Sequence, residues 1–118
     1  MKLTKHFTYE EMTNTETGFS NIISEEAKIN LVYLCRKLEK VRKSFGKPIR
    51  INSGYRSPEV NKAVGGVTNS LHLTGRACDI AIHHLSTSDV DTLYTLLEDT
   101  CPTELQCNIV RGYIHYAI

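Results

Sequence analysis

The sequence lacks tryptophan, contains only three prolines and has no continuous apolar run of membrane-spanning length. A transmembrane helix needs about 20 consecutive apolar residues, so membrane insertion is not expected. No apolar segment typical of a secretory signal stands near the first residue, and we therefore expect synthesis in the cytoplasm without a signal peptide. The scarcity of proline excludes a proline-rich or collagen-like chain.

An excess of one charge is also lacking. Fourteen Lys+Arg residues against thirteen Asp+Glu residues leave a formal net charge of +1. A protein that binds nucleic acid through phosphates usually carries a clear basic excess on one face. The densest basic run, residues 36–43, is interleaved with apolar residues and a glutamate, which is typical of the solvent side of a helix. We therefore expect no nucleic-acid partner.

The four cysteines form no CxxC pair. Cys35 and Cys78 lie in apolar stretches and are expected to be small core residues. Cys101 and Cys107 are the two that could close a short loop under oxidising conditions, although reduced thiols are the main expectation.

The remaining composition is that of an ordinary globular protein, with 41% hydrophobic and 23% charged residues in a chain of 118. A chain of this length suffices for one hydrophobic core but is short for two. We therefore expect a single domain over residues 1–118, and a monomer.

Helix signals occur at four places in the sequence. A short helix is predicted over residues 8–13, and a third helix follows Ser57-Pro58 as far as residue 64. A fourth helix is predicted with Ser88 as its N-cap. The clearest helix follows Ser24 and ends before Gly46, because its apolar residues recur at helical spacing. These residues are Ala27, Leu31, Leu34, Leu38, Val41 and Phe45.

Strand signals lie between and after these helices. Alternating apolar and polar residues predict strands over residues 49–53 and 76–82. The segment 108–118 predicts two strands that turn at Arg111-Gly112. The order of elements indicates an α+β fold, in which a small and mostly antiparallel sheet packs against helices.

Three polar residues could meet on the side of this sheet that faces away from the core. Alternation places Asp79 and His115 opposite the apolar faces of their strands, and His72 stands in the loop that enters the strand of Asp79. Two imidazoles and one carboxylate form the protein ligand set of a catalytic zinc site. Zinc activates water and polarises carbonyls, which is the chemistry of amide hydrolysis. The spacing alone leaves open that these are unrelated surface groups, and that His83 or His84 competes for Asp79.

The surrounding residues resemble the peptidase M15 class, which comprises zinc D-Ala-D-Ala carboxypeptidases and phage L-alanyl-D-glutamate endopeptidases. The resemblance covers nearly the whole chain and is most specific over residues 51–80. The matching elements are FTYEEMT, the long helix, SGYRS with a following asparagine, a GG turn, the S-x-H-x-x-G-x-A-x-D block, and a closing aromatic-x-His. It implies a Hedgehog/DD-peptidase-like fold.

The resemblance also implies roles for individual residues. His72, Asp79 and His115 stand at the family's zinc-ligand positions, so Zn2+ is the expected cofactor. Arg56 stands where an arginine near the metal polarises the scissile carbonyl or holds a substrate carboxylate. The alternative for Arg56 is a structural hydrogen bond to the loop 65–72.

Two further residues are expected to contact the substrate, which the resemblance identifies as peptidoglycan stem or cross-link peptides. Ser70 donates either to the substrate or to the loop backbone. Tyr113 replaces the family's usual tryptophan and keeps an aromatic wall. An enzyme of this type acts on the cell wall, in this case as a candidate phage or prophage lysin or virion component.

The sequence departs from the family at one important place. Three residues before the last histidine, where well-studied members carry the carboxylate of the general base, this chain has Gly112. Glu104 and Asp99, expected in the loop that enters the hairpin, are the candidate replacements. The same departure motivates a second hypothesis, a noncatalytic zinc-containing module that binds the cell wall or has a structural role.

Overall fold

The longest element is helix α2 (Glu25–Phe45), in a computed structural model that describes all 118 residues. The Ser24 hydroxyl accepts a hydrogen bond from the Ala27 backbone N–H at the start of the helix. Gly46 ends it in the left-handed conformation, with φ of 73°. All six residues of the apolar stripe are buried. This agrees with the boundaries and the core face predicted from the sequence.

The other helices are shorter. They are α1 (Tyr9–Thr13), α3 (Pro58–Ala63), a 3-10 helix (Leu71–Thr74) and α4 (Thr87–Glu98). The prediction that Ser88 caps α4 was wrong. Ser86 is the N-cap, because its hydroxyl accepts from the backbone N–H of Asp89 and thereby satisfies a free donor of the first turn.

Four strands form one antiparallel sheet. They are β1 (Ile51–Ser53), β2 (Ala77–Ala81), β3 (Glu104–Asn108) and β4 (Tyr113–Ala117). Their order across the sheet is β1-β2-β4-β3, and every neighbouring pair is antiparallel. Four α-helices beside this sheet confirm the α+β prediction.

The hairpin at the end of the chain differs from its prediction. Its first strand covers residues 104–108, not the segment that starts at 108, and residues 109–112 form the turn. The apolar side chains of Ile109 and Val110 are exposed, so their hydrophobicity does not indicate a buried strand. Glu104 consequently lies within β3 and not in a loop.

The two faces of the sheet have different neighbours. On one face, Cys78, Ile80, Ile114 and Tyr116 are fully buried and join one hydrophobic cluster with residues of α2 and α4. The opposite face carries a polar row that crosses all four strands. In that row Ser53 pairs with Asp79, Asp79 with His115, and His115 with Gln106.

The cysteines are all unpaired in the structure. Cys35 and Cys78 are buried, as predicted, while Cys101 is exposed and Cys107 half-buried. None of the helices combines the length and the apolar character that a membrane span requires.

Candidate metal centre

Three side chains converge on the polar face of the sheet, one from the 3-10 helix and one each from β2 and β4. His72 Nε2 lies 3.3 Å from Asp79 Oδ1, and His115 Nδ1 lies 2.9 Å from the same oxygen. One ligand atom from each residue falls within 4.8 Å of the others. The structure therefore brings together the three residues proposed as zinc ligands.

The loop before β2 positions His72. The Ser70 hydroxyl accepts from the backbone N–H of His72 and caps the 3-10 helix. Gly75 then ends this helix at a φ of +75°, and a Cβ there would lie 2.2 Å from the Ala27 carbonyl oxygen. Glycine is thus required for the loop to lie against α2. The imidazole of His72 is almost completely buried as a result.

Each of the three residues also has a hydrogen-bond partner on its outer side. Nδ1 of His72 donates to the Gly54 carbonyl at 2.7 Å, and Arg56 donates to Oδ2 of Asp79 at 3.1 Å. Nε2 of His115 lies 2.8 Å from Oε1 of Glu104. Because a carbonyl oxygen only accepts, His72 carries a proton on Nδ1, and Nε2, which lies 3.3 Å from Asp79 Oδ1, is the nitrogen that a metal would use.

The charges in the cluster shift the pKa values of two groups. Burial by itself raises the pKa of Asp79, but hydrogen bonds and charges from His115 and His72 outweigh it and hold that pKa well below its usual range. The hydrogen bond to Asp79 raises the pKa of His115, with a further contribution from Glu104 and with burial opposing. Without a metal, His115 is therefore stabilised as a cation between two carboxylates.

Arg56 is held in place by three side chains. Its Nε donates to Ser53 Oγ at 3.1 Å, Nη1 to Asn61 Oδ1 at 3.3 Å and Nη2 to Asp79 Oδ2 at 3.1 Å. Asn61 is itself buried, and its amide donates to the Val67 carbonyl. The backbone N–H of Arg56 also donates to the carbonyl of His72, whereas the three hydrogen bonds of the guanidinium go to residues outside the loop 65–72.

An open cavity of about 700 Å³ lies over the three converging side chains. Only three of its eleven lining residues are hydrophobic. Ser70, Tyr113 and Glu104 line it, as does the guanidinium-bearing Arg56. Gln106 lines the cavity as well. The sequence did not identify this residue, because the first strand of the hairpin was predicted to start at residue 108. The alternation of polar and apolar residues over 104–108 is the sequence signal that could have indicated this strand.

The chain matches the model of a known protein family over almost its whole length. The family model described as peptidase M15 matches residues 5–117. The chain belongs to the peptidase M15 family. It is also 36% identical, over 78 residues, to the zinc D-Ala-D-Ala carboxypeptidase of Streptomyces albus G. That alignment covers 64% of this chain but only 31% of the carboxypeptidase.

The residues of this M15 chain fit a zinc ion. The set comprises two imidazole nitrogens and one carboxylate oxygen, which are donors that zinc prefers. The three atoms face one another, while the opposite atom of each side chain is already engaged by Gly54, Arg56 or Glu104. Outer contacts of this kind orient the ligands of protein metal sites.

Neither of the competing histidines joins the M15 site. His83 and His84 are both exposed, and neither belongs to the group that could hold a metal. His83 instead covers Gly112, since a Cβ on Gly112 would lie 2.0 Å from its Nε2. The φ of Gly112 is +78°, which disfavours any residue with a side chain.

The two candidate bases are placed differently. Asp99 is the exposed C-cap of α4 and does not line the cavity. Glu104 lines the cavity and contacts His115. The geometry therefore favours a role at the site for Glu104 and not for Asp99.

Proposed function

We propose that this M15 domain is a zinc metallopeptidase that hydrolyses amide bonds in peptidoglycan stem or cross-link peptides. The observation that carries the proposal is the convergence of His72, Asp79 and His115 beneath an open, polar cavity with Arg56 in its wall. His72 Nε2, Asp79 Oδ1 and His115 Nδ1 would hold the zinc. When bound, zinc activates water and polarises a carbonyl oxygen.

Arg56 has the donors to act on the substrate while it holds Asp79. A guanidinium group has five N–H donors, and three of them are used by Ser53, Asn61 and Asp79. Two N–H groups therefore remain on a residue that lines the cavity. They can donate to a scissile carbonyl as negative charge develops on it, or to a substrate carboxylate.

The wall of the cavity provides further contacts for a peptide. Tyr113 is half-buried beside the ligands and supplies an aromatic surface. The Ser70 hydroxyl accepts from the backbone of His72, and its own proton stays available for the substrate. Gln106, exposed on the edge strand β3, adds an amide that can pair with a peptide group.

A noncatalytic wall-binding module is the second candidate, and one observation favours it. Asp79 and Glu104 are the only carboxylates that line the cavity, and both are engaged by neighbouring side chains. Gly112 carries no carboxylate at the position where well-studied relatives have one. In this second candidate the site binds zinc and wall peptides without cleaving them.

Digestion of purified sacculi by the zinc-loaded protein distinguishes the metallopeptidase from the binding module. Metal analysis establishes zinc content, and mass spectrometry of the released peptides identifies the bond that is cut. The metallopeptidase proposal expects cleavage that is lost in His72→Ala and retained in the control His84→Ala. Zinc binding with measurable affinity for wall peptides, but without cleavage under any metal condition, would instead support the binding module.

A further inference from the structure

We propose that Glu104 is a positioning residue that fixes the imidazole of His115 for metal binding, and that it is not the general base. The inference rests on the proposed zinc site and concerns how this chain builds it. Of the three outer contacts, two come from buried or nearly buried groups, the Gly54 carbonyl and Arg56. The third comes from Glu104 on the edge strand β3, half of whose side chain is exposed.

The register of the sheet explains why Glu104 reaches His115. Gln106 stands directly opposite His115, whereas Glu104 stands opposite Ala117 and is thus diagonal to the histidine on the same face. Diagonal neighbours in an antiparallel pair lie within reach of long side chains. Glutamate extends across this diagonal to place Oε1 2.8 Å from His115 Nε2.

The contact with Glu104 determines which nitrogen of His115 is available to a metal. A carboxylate only accepts hydrogen bonds, so Nε2 carries a proton that it donates to Glu104. Without a metal, Nδ1 donates in the same way to Asp79 Oδ1 at 2.9 Å. A zinc ion held beside Asp79 would displace that proton from Nδ1, while Glu104 keeps the proton on Nε2. Carboxylate–histidine pairs of this kind fix the tautomer and the ring orientation in metal sites.

The same contact argues against Glu104 as the base. Its carboxylate is bound to the side of the imidazole ring that points away from His72 and Asp79. A general base must lie within hydrogen-bond reach of the proton that it removes, and Glu104 is directed at another proton. Glutamine separates the two roles, because its amide oxygen still accepts from Nε2–H but the amide cannot take up a proton.

Zinc affinity of the full chain, measured by competition with a chelator, is the primary test. We compare wild type, Glu104→Ala, Glu104→Gln and the control Glu98→Gln, which removes an exposed carboxylate at the end of α4. Loss of an outer partner typically weakens metal binding about 10–100-fold. We expect this loss in Glu104→Ala, recovery to within a few-fold of wild type in Glu104→Gln, and no change in Glu98→Gln.

Nitrogen NMR of the wild-type imidazoles provides a readout that needs no substitution and no turnover. We expect zinc to shift the Nδ1 resonance of His115 while Nε2 keeps its proton. Coordination through Nε2 would overturn the proposal, and so would an unchanged zinc affinity in Glu104→Ala. Loss of cleavage in zinc-saturated Glu104→Gln, equal to that in Glu104→Ala, would make Glu104 the base.

The outcomes also separate this inference from the proposed function. A wild-type protein that binds zinc and cleaves nothing rejects the metallopeptidase proposal, but the affinity series and the NMR still decide the role of Glu104. A wild-type protein that binds no zinc rejects both.

Discussion

Ile114 and His115 are neighbours in β4, yet they belong to two regions with different tasks. Ile114 is fully buried in the cluster shared with α2 and α4, while His115 faces the open cavity. The same contrast recurs in β2, where Ile80 is fully buried and Asp79 lies in the polar cluster. Each strand thus supplies the core with one face and the site with the other.

The fold and the site therefore depend on each other. Side chains alternate strictly along a strand, so a slip of one residue in β2 or β4 would turn Asp79 or His115 toward the core. The apolar face therefore sets the register that aligns Asp79 with His115. Once the register is set, changes on one face should leave the properties of the other largely intact.

Loss of a ligand on the polar face should have the largest effect. Removing an outer partner of a ligand costs about 10–100-fold in metal affinity, so His115→Ala should weaken zinc binding by more than about 100-fold and abolish hydrolysis. The metal-free variant should still fold, as measured by circular dichroism. His84→Ala, at an exposed position outside the cluster, is the control. Wild-type zinc affinity in His115→Ala would contradict the assigned ligand set.

The neighbouring substitution on the apolar face should show the opposite pattern. Ile114→Ala is expected to lower the free energy of unfolding by about 2–5 kcal/mol, and Ile114→Val by about 0.5–1.5 kcal/mol. Urea unfolding of the metal-free proteins measures this. The folded fraction should bind zinc as wild type does. A large loss of zinc affinity in well-folded Ile114→Val would show that the two faces are not separable.

Arg56→Lys should separate a catalytic from a structural role of Arg56 on the polar face. Removal of one donor from a developing oxyanion costs about 10²–10³-fold in kcat. Lysine keeps the charge but not the planar set of donors that contacts Ser53, Asn61 and Asp79, so we expect a loss of about 10²-fold. Steady-state kinetics on a defined wall peptide measures it, with exposed Arg36→Lys as the control. An unchanged kcat would assign Arg56 a purely structural role.

The sequence was sufficient where local chemistry determines structure. The two ends of α2 were predicted correctly at Ser24 and Gly46, because capping depends on neighbouring residues alone. The start of α4 was misplaced because two nearby serines, Ser86 and Ser88, both suit an N-cap, and only Ser86 accepts from Asp89. The hairpin was misplaced because the apolar Ile109 and Val110 resemble strand residues although they form an exposed turn.

In the candidate site, too, the sequence predicted some features and not others. The residue types and spacing suggested His72, Asp79 and His115, and the family resemblance assigned them. The outer partner of His72 could not be predicted, since the Gly54 carbonyl is a backbone group that any residue possesses. The Glu104 contact depends on the true register of β3, which had been placed in the wrong segment. Long-range pairing therefore determines the outer contacts of the site.

The smallest expected effect is a difference in pH dependence with and without zinc. The folded-state pKa of His115 is raised, so its contribution to stability is complete below the ordinary histidine value of about 6.5 and is lost as the pH rises through the raised pKa. The pKa of Asp79 is lowered, so its contribution is present above about pH 4 and is lost only in stronger acid. The metal-free protein should therefore lose stability as the pH rises above about 6.5.

Zinc should reverse this slope, because the metal must displace the proton on His115 Nδ1 and binds more tightly as that proton is lost. Urea unfolding at several pH values, with zinc and with chelator, measures the difference between the two curves. In His115→Ala the metal-free slope above about pH 6.5 should flatten and the response to zinc should vanish. Ile114→Val should lower both curves while leaving their slopes unchanged, since its side chain touches only the core. Parallel curves with and without zinc would mean that His115 is not a ligand, whereas a changed slope in Ile114→Val would mean that the core face also controls the charges of the site.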